Sequence, residues 1–186
     1  MNGIISIMAF LTFLIACSPG KNDKTKTTSL GAVNDHIKTG INIGDRAPEM
    51  VFPSPGGEKI ALTSLRGTLV LIDFWASWCS PCRAENPNLV RIYKQFRDKM
   101  FVNGSGFTVY SVSLDRTRED WIAAIRQDGL EWESQVSDLK GWQSVPAAMY
   151  GVMFIPTNFL IDGDGVIVAK DLRGDFLENK LKELLK

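Results

Sequence analysis

Two cysteines three positions apart, Cys79 and Cys82 in Trp78-Cys79-Ser80-Pro81-Cys82, follow directly on the apolar run Leu69-Val70-Leu71-Ile72-Asp73-Phe74-Trp75. The run has strand length and composition, and Pro81 suits the first turn of a helix, where its missing N–H goes unneeded. At a helix start, residues i and i+3 lie on one turn. Their Cα atoms then fall within the roughly 4.4–6.8 Å that a disulfide tolerates. The same place offers free N–H groups and a partial positive charge, both of which favour a thiolate. A strand feeding such a helix is what a dithiol redox centre needs. A zinc site is the rival, but zinc usually takes two further ligands. The remaining cysteine and histidine, Cys17 and His36, both lie in a segment that reads as leader and tether. No metal site is therefore expected.

The chain has 186 residues with 45% hydrophobic and 23% charged side chains, which is enough for one globular domain plus extensions. Lys plus Arg equals Asp plus Glu at 21 each, so no nucleic-acid partner and no electrostatic hold on anionic lipid is expected. Gly3 to Ala16 is uncharged and apolar, with the length of a signal h-region and too short to span a bilayer comfortably. It ends in Leu14-Ile15-Ala16-Cys17, which resembles a bacterial lipoprotein lipobox. That resemblance implies that residues 1–17 form a signal ending at an acylated Cys17. It departs from the pattern in one respect, because Met1-Asn2 carries no Lys or Arg. Cys79 and Cys82 would then be the only thiols of the mature chain. They would work outside the cytoplasm, in the periplasm or at the cell envelope, where disulfides persist. The protein would be anchored to a membrane rather than span it.

Residues 18–42 are polar and lack an apolar period, so they are expected to form a flexible tether, and residues 43–186 the folded domain. Glu49–Pro53 and Lys59–Leu62 flank Ser54-Pro55-Gly56-Gly57, a β-hairpin signal. A helix is expected from Ser80 to Met100, kinked at Pro87. Phe107–Leu114 reads as a second buried strand and Arg118–Gln127 as a helix with Trp121, Ile122 and Ile125 inward. Asn158–Ile161 and Val166–Lys170 are strands joined by Asp162-Gly163-Asp164-Gly165. Asp175–Leu185 closes the chain as a helix with Phe176, Leu177, Leu181 and Leu184 on one face. The expected fold is α/β, a mixed central sheet flanked by helices with an N-terminal β-hairpin.

Three segments resemble the thioredoxin superfamily, and within it the extracytoplasmic TlpA/ResA-like thiol-disulfide oxidoreductases. Gly44-Asp45-Arg46-Ala47-Pro48 with Leu62-Thr63-Ser64-Leu65-Arg66-Gly67 is similar to a lead-in shared with peroxiredoxins; Asp73 to Cys82 is similar to the active-site segment; Ala147 to Asp162 is similar to the segment carrying the cis-proline. The stretch Arg116–Ala148 resembles the family's central insertion. The resemblance implies a thioredoxin-like fold and a reductase of protein disulfides with no cofactor. It further implies protein partners bearing disulfides or thiols, and an upstream membrane electron donor. A monomer is expected.

Cys79, at the exposed helix end, is expected to attack and Cys82 to resolve the mixed disulfide. Lowering a thiol pKa from about 8.5 to about 7 raises the thiolate fraction at neutral pH more than tenfold. It also lowers nucleophilicity about fivefold, so the larger benefit is to Cys79 as a leaving group. Asp73 matches the family's buried acid, and Glu85 the acid of the ResA-like branch. Each is a candidate proton relay to Cys82, although Glu85 in a first helical turn also suits the helix dipole. Pro156 is expected cis, with Ile155 beside the disulfide offering backbone to an extended client strand. Trp78, and less so Trp75, would form an apolar rim around Cys79, while Trp121, Trp132 and Trp142 read as packing. Two other functions compete. A peroxidase would need Pro and Thr where Ile72 and Ala76 stand, and a redox-inert binding lipoprotein would not need both cysteines, the acid and Pro156.

Overall fold

The computed structural model describes residues 37–186. The signal segment 1–17 with Cys17, and residues 18–36 of the tether with His36, lie outside the described residues. The chain forms a hairpin, β1 (Val51–Pro53) and β2 (Lys59–Ala61), then β3 (Leu69–Trp75) and α1 (Ser80–Phe96). A short ribbon, β4 (Met100–Phe101) and β5 (Gly104–Ser105), leads to β6 (Phe107–Ser113), α2 (Arg118–Asp128), β7 (Gln135–Ser137) and α3 (Val145–Met149). The C-terminal part adds β8 (Thr157–Ile161), β9 (Ile167–Lys170) and α4 (Asp175–Glu183).

Five strands make the central sheet in the order β7-β6-β3-β8-β9. β3 runs parallel to β6 and antiparallel to β8, so the sheet is mixed, as the sequence predicts. β3 is the middle strand and every one of its residues is buried, which is why it reads as an unbroken apolar run rather than an alternation. Alternation still sorts its side chains. Leu71 and Asp73 face a small cavity walled by Leu89 of α1 and Leu177 of α4. Phe74 points to the other face, where its ring lies 5.4 Å from that of Tyr150 and 6.3 Å from that of Phe159. At roughly 25 cal/mol per Å² of apolar surface, burying a large side chain of this kind stabilises by about 1.5–3 kcal/mol.

The N-terminal hairpin pairs as expected, and Tyr110 Oη of β6 donates to the Ile60 carbonyl at 2.9 Å to attach it. Backbone pairing begins before Ile43: the Arg46 N–H donates to the Lys38 carbonyl and the Gly40 N–H to the Arg46 carbonyl. The hydrogen-bonded edge of the domain thus takes in the last residues of the expected tether.

The region Arg116–Ala148 does not stand apart from the sheet. It contributes β7, paired in parallel to β6 through Ser111 and Gln135. α1 continues through Pro87 to Phe96 and ends one turn short of Met100, where the chain enters β4. Phe176 is exposed, so the buried stripe of α4 is Leu177 and Leu181. No helix among the described residues is long and apolar enough to cross a membrane.

Candidate active site

The site is built at the C-terminal end of β3. The Trp75 carbonyl accepts the Leu114 N–H at 2.8 Å, and the chain then turns through Ala76, Ser77 and Trp78 into α1. Cys79 is the N-cap of that helix with an extended backbone (φ −84°, ψ 95°), and Pro81 occupies its first turn. Cys79 Sγ accepts the Cys82 N–H at 3.2 Å, one of the donors a helix start leaves without a partner. The two cysteines are disulfide-bonded with Cα atoms 5.3 Å apart. This is the geometry expected from the spacing.

The expectation that Cys79 is exposed is corrected: in the disulfide form it is 4% exposed. Because Cys79 caps its own helix, its sulfur turns back over the helix end instead of out to solvent. Trp78, 53% exposed, meets solvent there, as do Ser80 and Pro81.

A buried carboxylate holds the turn in place. Asp115 accepts from the Ser77 N–H at 3.1 Å and from Ser77 Oγ at 2.6 Å, and also from Ser113 Oγ at 2.6 Å. From the other side Arg83 Nη1 donates to the Ser77 carbonyl at 3.1 Å, and Asp128 of α2 orients that guanidinium. Asp115 carries no local sequence signal for this role, since only the fold brings positions 77 and 115 together. Hydrogen bonds to a charged acceptor are worth about 1.5–3 kcal/mol each. Asp115→Ala is therefore expected to destabilise the oxidised protein by about 2–4 kcal/mol. In thermal unfolding this is a fall of roughly 5–15 °C for a chain of this size, and an unchanged midpoint would contradict it.

Behind the disulfide lies a cavity of about 10 Å³ lined by Asp73, Cys82, Glu85 and Pro156, among others. That is room for about one water centre. The four residues come from β3, α1 and the loop before β8, so the fold gathers groups that lie far apart in sequence. Asp73 is 7% exposed, and among the described residues no protein donor reaches its carboxyl. Burial pushes its pKa up to about 7, and the neighbouring Glu85 charge adds to the rise, while the Arg173 guanidinium opposes it. Glu85 Oε1 accepts the Gly174 N–H and Asn88 Nδ2, both at 2.8 Å, tying α1 to the start of α4.

The Ile155–Pro156 bond is cis, as the resemblance implies. The Pro156 carbonyl accepts from Arg173 Nη2. Neither the N–H nor the carbonyl of Ile155 has a partner among the described residues. Trp75 is buried in the core, as are Trp121 and Trp132. Trp142 departs from expectation: it is 50% exposed and its ring lies 6.1 Å from that of Trp78. Among the described residues there is no cluster of three or more His, Cys, Asp or Glu placed to hold a metal ion.

A helix-capping Cys-x-x-Cys disulfide, a buried acid behind it and a cis-proline loop beside it define a thiol-disulfide exchange centre on a thioredoxin-like fold. The chain matches the AhpC/TSA family over residues 43–170 and belongs to that family. It is 30% identical over 146 residues to the thiol-disulfide oxidoreductase ResA of Bacillus thuringiensis subsp. konkukian, covering 78% of each chain. Among solved structures it superposes on the thioredoxin domain of a thiol-disulfide oxidoreductase from Bacteroides vulgatus, with TM-score 0.70 and 37% identity over 79% of this chain and 100% of that one. A thiol-disulfide oxidoreductase from Bacteroides fragilis gives TM-score 0.68 and 38% identity, over 76% of this chain and 100% of that one. The protein is a thiol-disulfide oxidoreductase of the ResA type.

Proposed function

We propose that the protein acts outside the cytoplasm as a reductase of protein disulfides, held to a membrane through an acylated Cys17 and a tether over residues 18–42. The reading rests above all on the cavity that puts Cys82 beside Asp73, Glu85 and cis-Pro156. In the reduced protein the α1 N-terminus favours the Cys79 thiolate. Its sulfur attacks one sulfur of a client disulfide, forming a Cys79–client bond and expelling the other client sulfur as a thiolate. Cys82 then loses its proton to Asp73, directly or through a water in the cavity, and attacks the Cys79 sulfur. The second client sulfur leaves, and the Cys79–Cys82 disulfide forms. Two electrons and, after protonation, two protons have passed to the client. A dithiol donor at the membrane restores the reduced protein.

Each remaining residue has a place in this scheme. Asp73, with a pKa near 7, is poised to take and return the Cys82 proton at neutral pH. Glu85 holds Gly174 and keeps Asp73 protonated to a higher pH. Ile155 presents its free N–H and carbonyl to an extended client segment, since the Pro156 carbonyl is already engaged by Arg173 and proline has no N–H. Trp78 covers the approach to Cys79.

The AhpC/TSA match raises peroxide reduction as a second reading. Ile72 and Ala76 stand where that chemistry uses proline and threonine, and Ile72 is a fully buried core residue with no polar group to offer a peroxide. Reduced protein is expected to be oxidised by a peptide disulfide at least about a hundredfold faster than by equimolar hydrogen peroxide. The reverse order would sink the reductase reading. For the anchor, metabolic labelling with a radioactive fatty acid should mark the wild type and not Cys17→Ala. Equal labelling of the two, or none of the wild type, would refute it.

A further inference from the structure

We propose that Trp78 and Trp142 form the jaws of a specificity cleft that takes one aromatic side chain of the client, two positions from the client cysteine under attack. This rests on the oxidoreductase reading and adds to it a rule of substrate choice. The two half-exposed indoles border a cleft of about 340 Å³, floored by the fully buried Leu114 and by Gly141 and rimmed by Arg116 and Asp120. The volume is at the low end for ligand sites, enough for one large side chain and too small for a folded element.

The carboxylates of the cleft are already engaged within the protein. The Asp115 oxygens are held by Ser77 and Ser113, and Asp120 accepts from Thr117 Oγ1. What is left open is two indole faces at an angle of 54°, set for an edge or a face of a third ring, with the Arg116 guanidinium beside them. Gly141 is required here, because its backbone is left-handed (φ +57°) and a Cβ would lie 2.7 Å from Arg116 Nε. Without a side chain at 141, Arg116 packs against the glycine and presents a planar cation beside the ring site.

The position relative to the reacting sulfur follows from chain geometry. Trp78 is bonded to Cys79, so a client forming a mixed disulfide must pass beside it. In an extended segment, residues two apart face the same way and are about 6.5–7 Å apart. A client cysteine directed at Cys79 therefore directs its i±2 neighbour toward the cleft. Trp142 acts as a specificity residue and takes no part in the exchange itself.

The test compares matched disulfide-bonded peptides with Phe or Ala two positions before, and in a second pair two positions after, the cysteine. Each is reduced by the full chain kept reduced with dithiothreitol. For at least one placement the wild type should favour the Phe peptide by about tenfold in kcat/KM. Trp142→Ala should bring that ratio to within about twofold of unity, and Trp142→Phe should restore most of it. Equal rates for Phe and Ala peptides with the wild type, or an undiminished preference in Trp142→Ala, would overturn the cleft and leave the oxidoreductase reading standing. A wild type that reduces none of the peptides would overturn both.

Discussion

Cys82→Ser is expected to trap the protein covalently on its client. With Cys79 intact, the first attack proceeds and the client's second sulfur becomes bonded to Cys79. With a hydroxyl at position 82, nothing displaces it. Non-reducing gels should show a stable adduct, released by dithiothreitol, with its mass equal to protein plus one client chain. Turnover should fall by at least about a thousandfold, the scale seen when a member of a reacting unit is removed. Cys79→Ser should fall as far without any adduct, because Cys82 lines the inner cavity with Asp73 and Pro156, whereas Cys79 caps the helix beside the exposed Trp78, where a client arrives. The asymmetry between the two variants is the informative result. Adducts from Cys79→Ser and none from Cys82→Ser would exchange the roles given to the two sulfurs.

The second large effect concerns Asp73. Asn at this position keeps the volume and cannot take a proton, so resolution of the mixed disulfide should slow by about a hundredfold or more near neutral pH. The rise in rate with pH around 7 should disappear with it. A stability effect of opposite sense accompanies the loss. Asp73 has a pKa of about 7 in the folded protein against 3.8 for an ordinary aspartate. The folded state therefore holds more protons than the unfolded state between those values, and stability falls as pH rises through the interval. The favourable contribution is fully present below about pH 4 and gone above about pH 7. At 1.36 kcal/mol per pKa unit this is on the order of 4 kcal/mol at most. Oxidised Asp73→Asn should lack this slope and be the more stable protein at pH 8, with the difference narrowing toward pH 5. A variant with the wild-type pH–rate profile would rule out the relay. A variant less stable than wild type at pH 8 would show that the carboxylate is not the burden its burial implies.

Much of this molecule was legible from local chemistry. β3 and the start of α1 follow from an apolar run, two cysteines and a proline, all within fourteen residues. The hairpins β1–β2 and β8–β9 follow from Gly- and Asp-rich turns. What escaped has a common physical cause. β7, Gln135-Val136-Ser137, is a three-residue edge strand of mostly polar residues with no period to detect; only pairing with β6 makes it a strand. The buried Asp115 anchor depends on the register of β3 beside β6, which sets Trp75 opposite Ser113 and brings Asp115 to Ser77. Trp142 sits in a single turn of tight helix after a left-handed glycine, where no face pattern decides between core and surface. The burial of Cys79 follows from its capping its own helix, a detail of side-chain direction that spacing does not encode.

Every step of the exchange depends on one reversible bond between Cys79 and Cys82. The most direct test is a redox titration of the whole chain against dithiothreitol buffers, with thiols counted by alkylation and the labelled peptides identified by mass. Two thiols, at positions 79 and 82, should appear together with a midpoint near about −270 mV, the range of a reductase. A midpoint near about −120 mV would reverse the proposed direction of electron flow. Thiols at these positions that never re-form the disulfide would contradict the central claim outright.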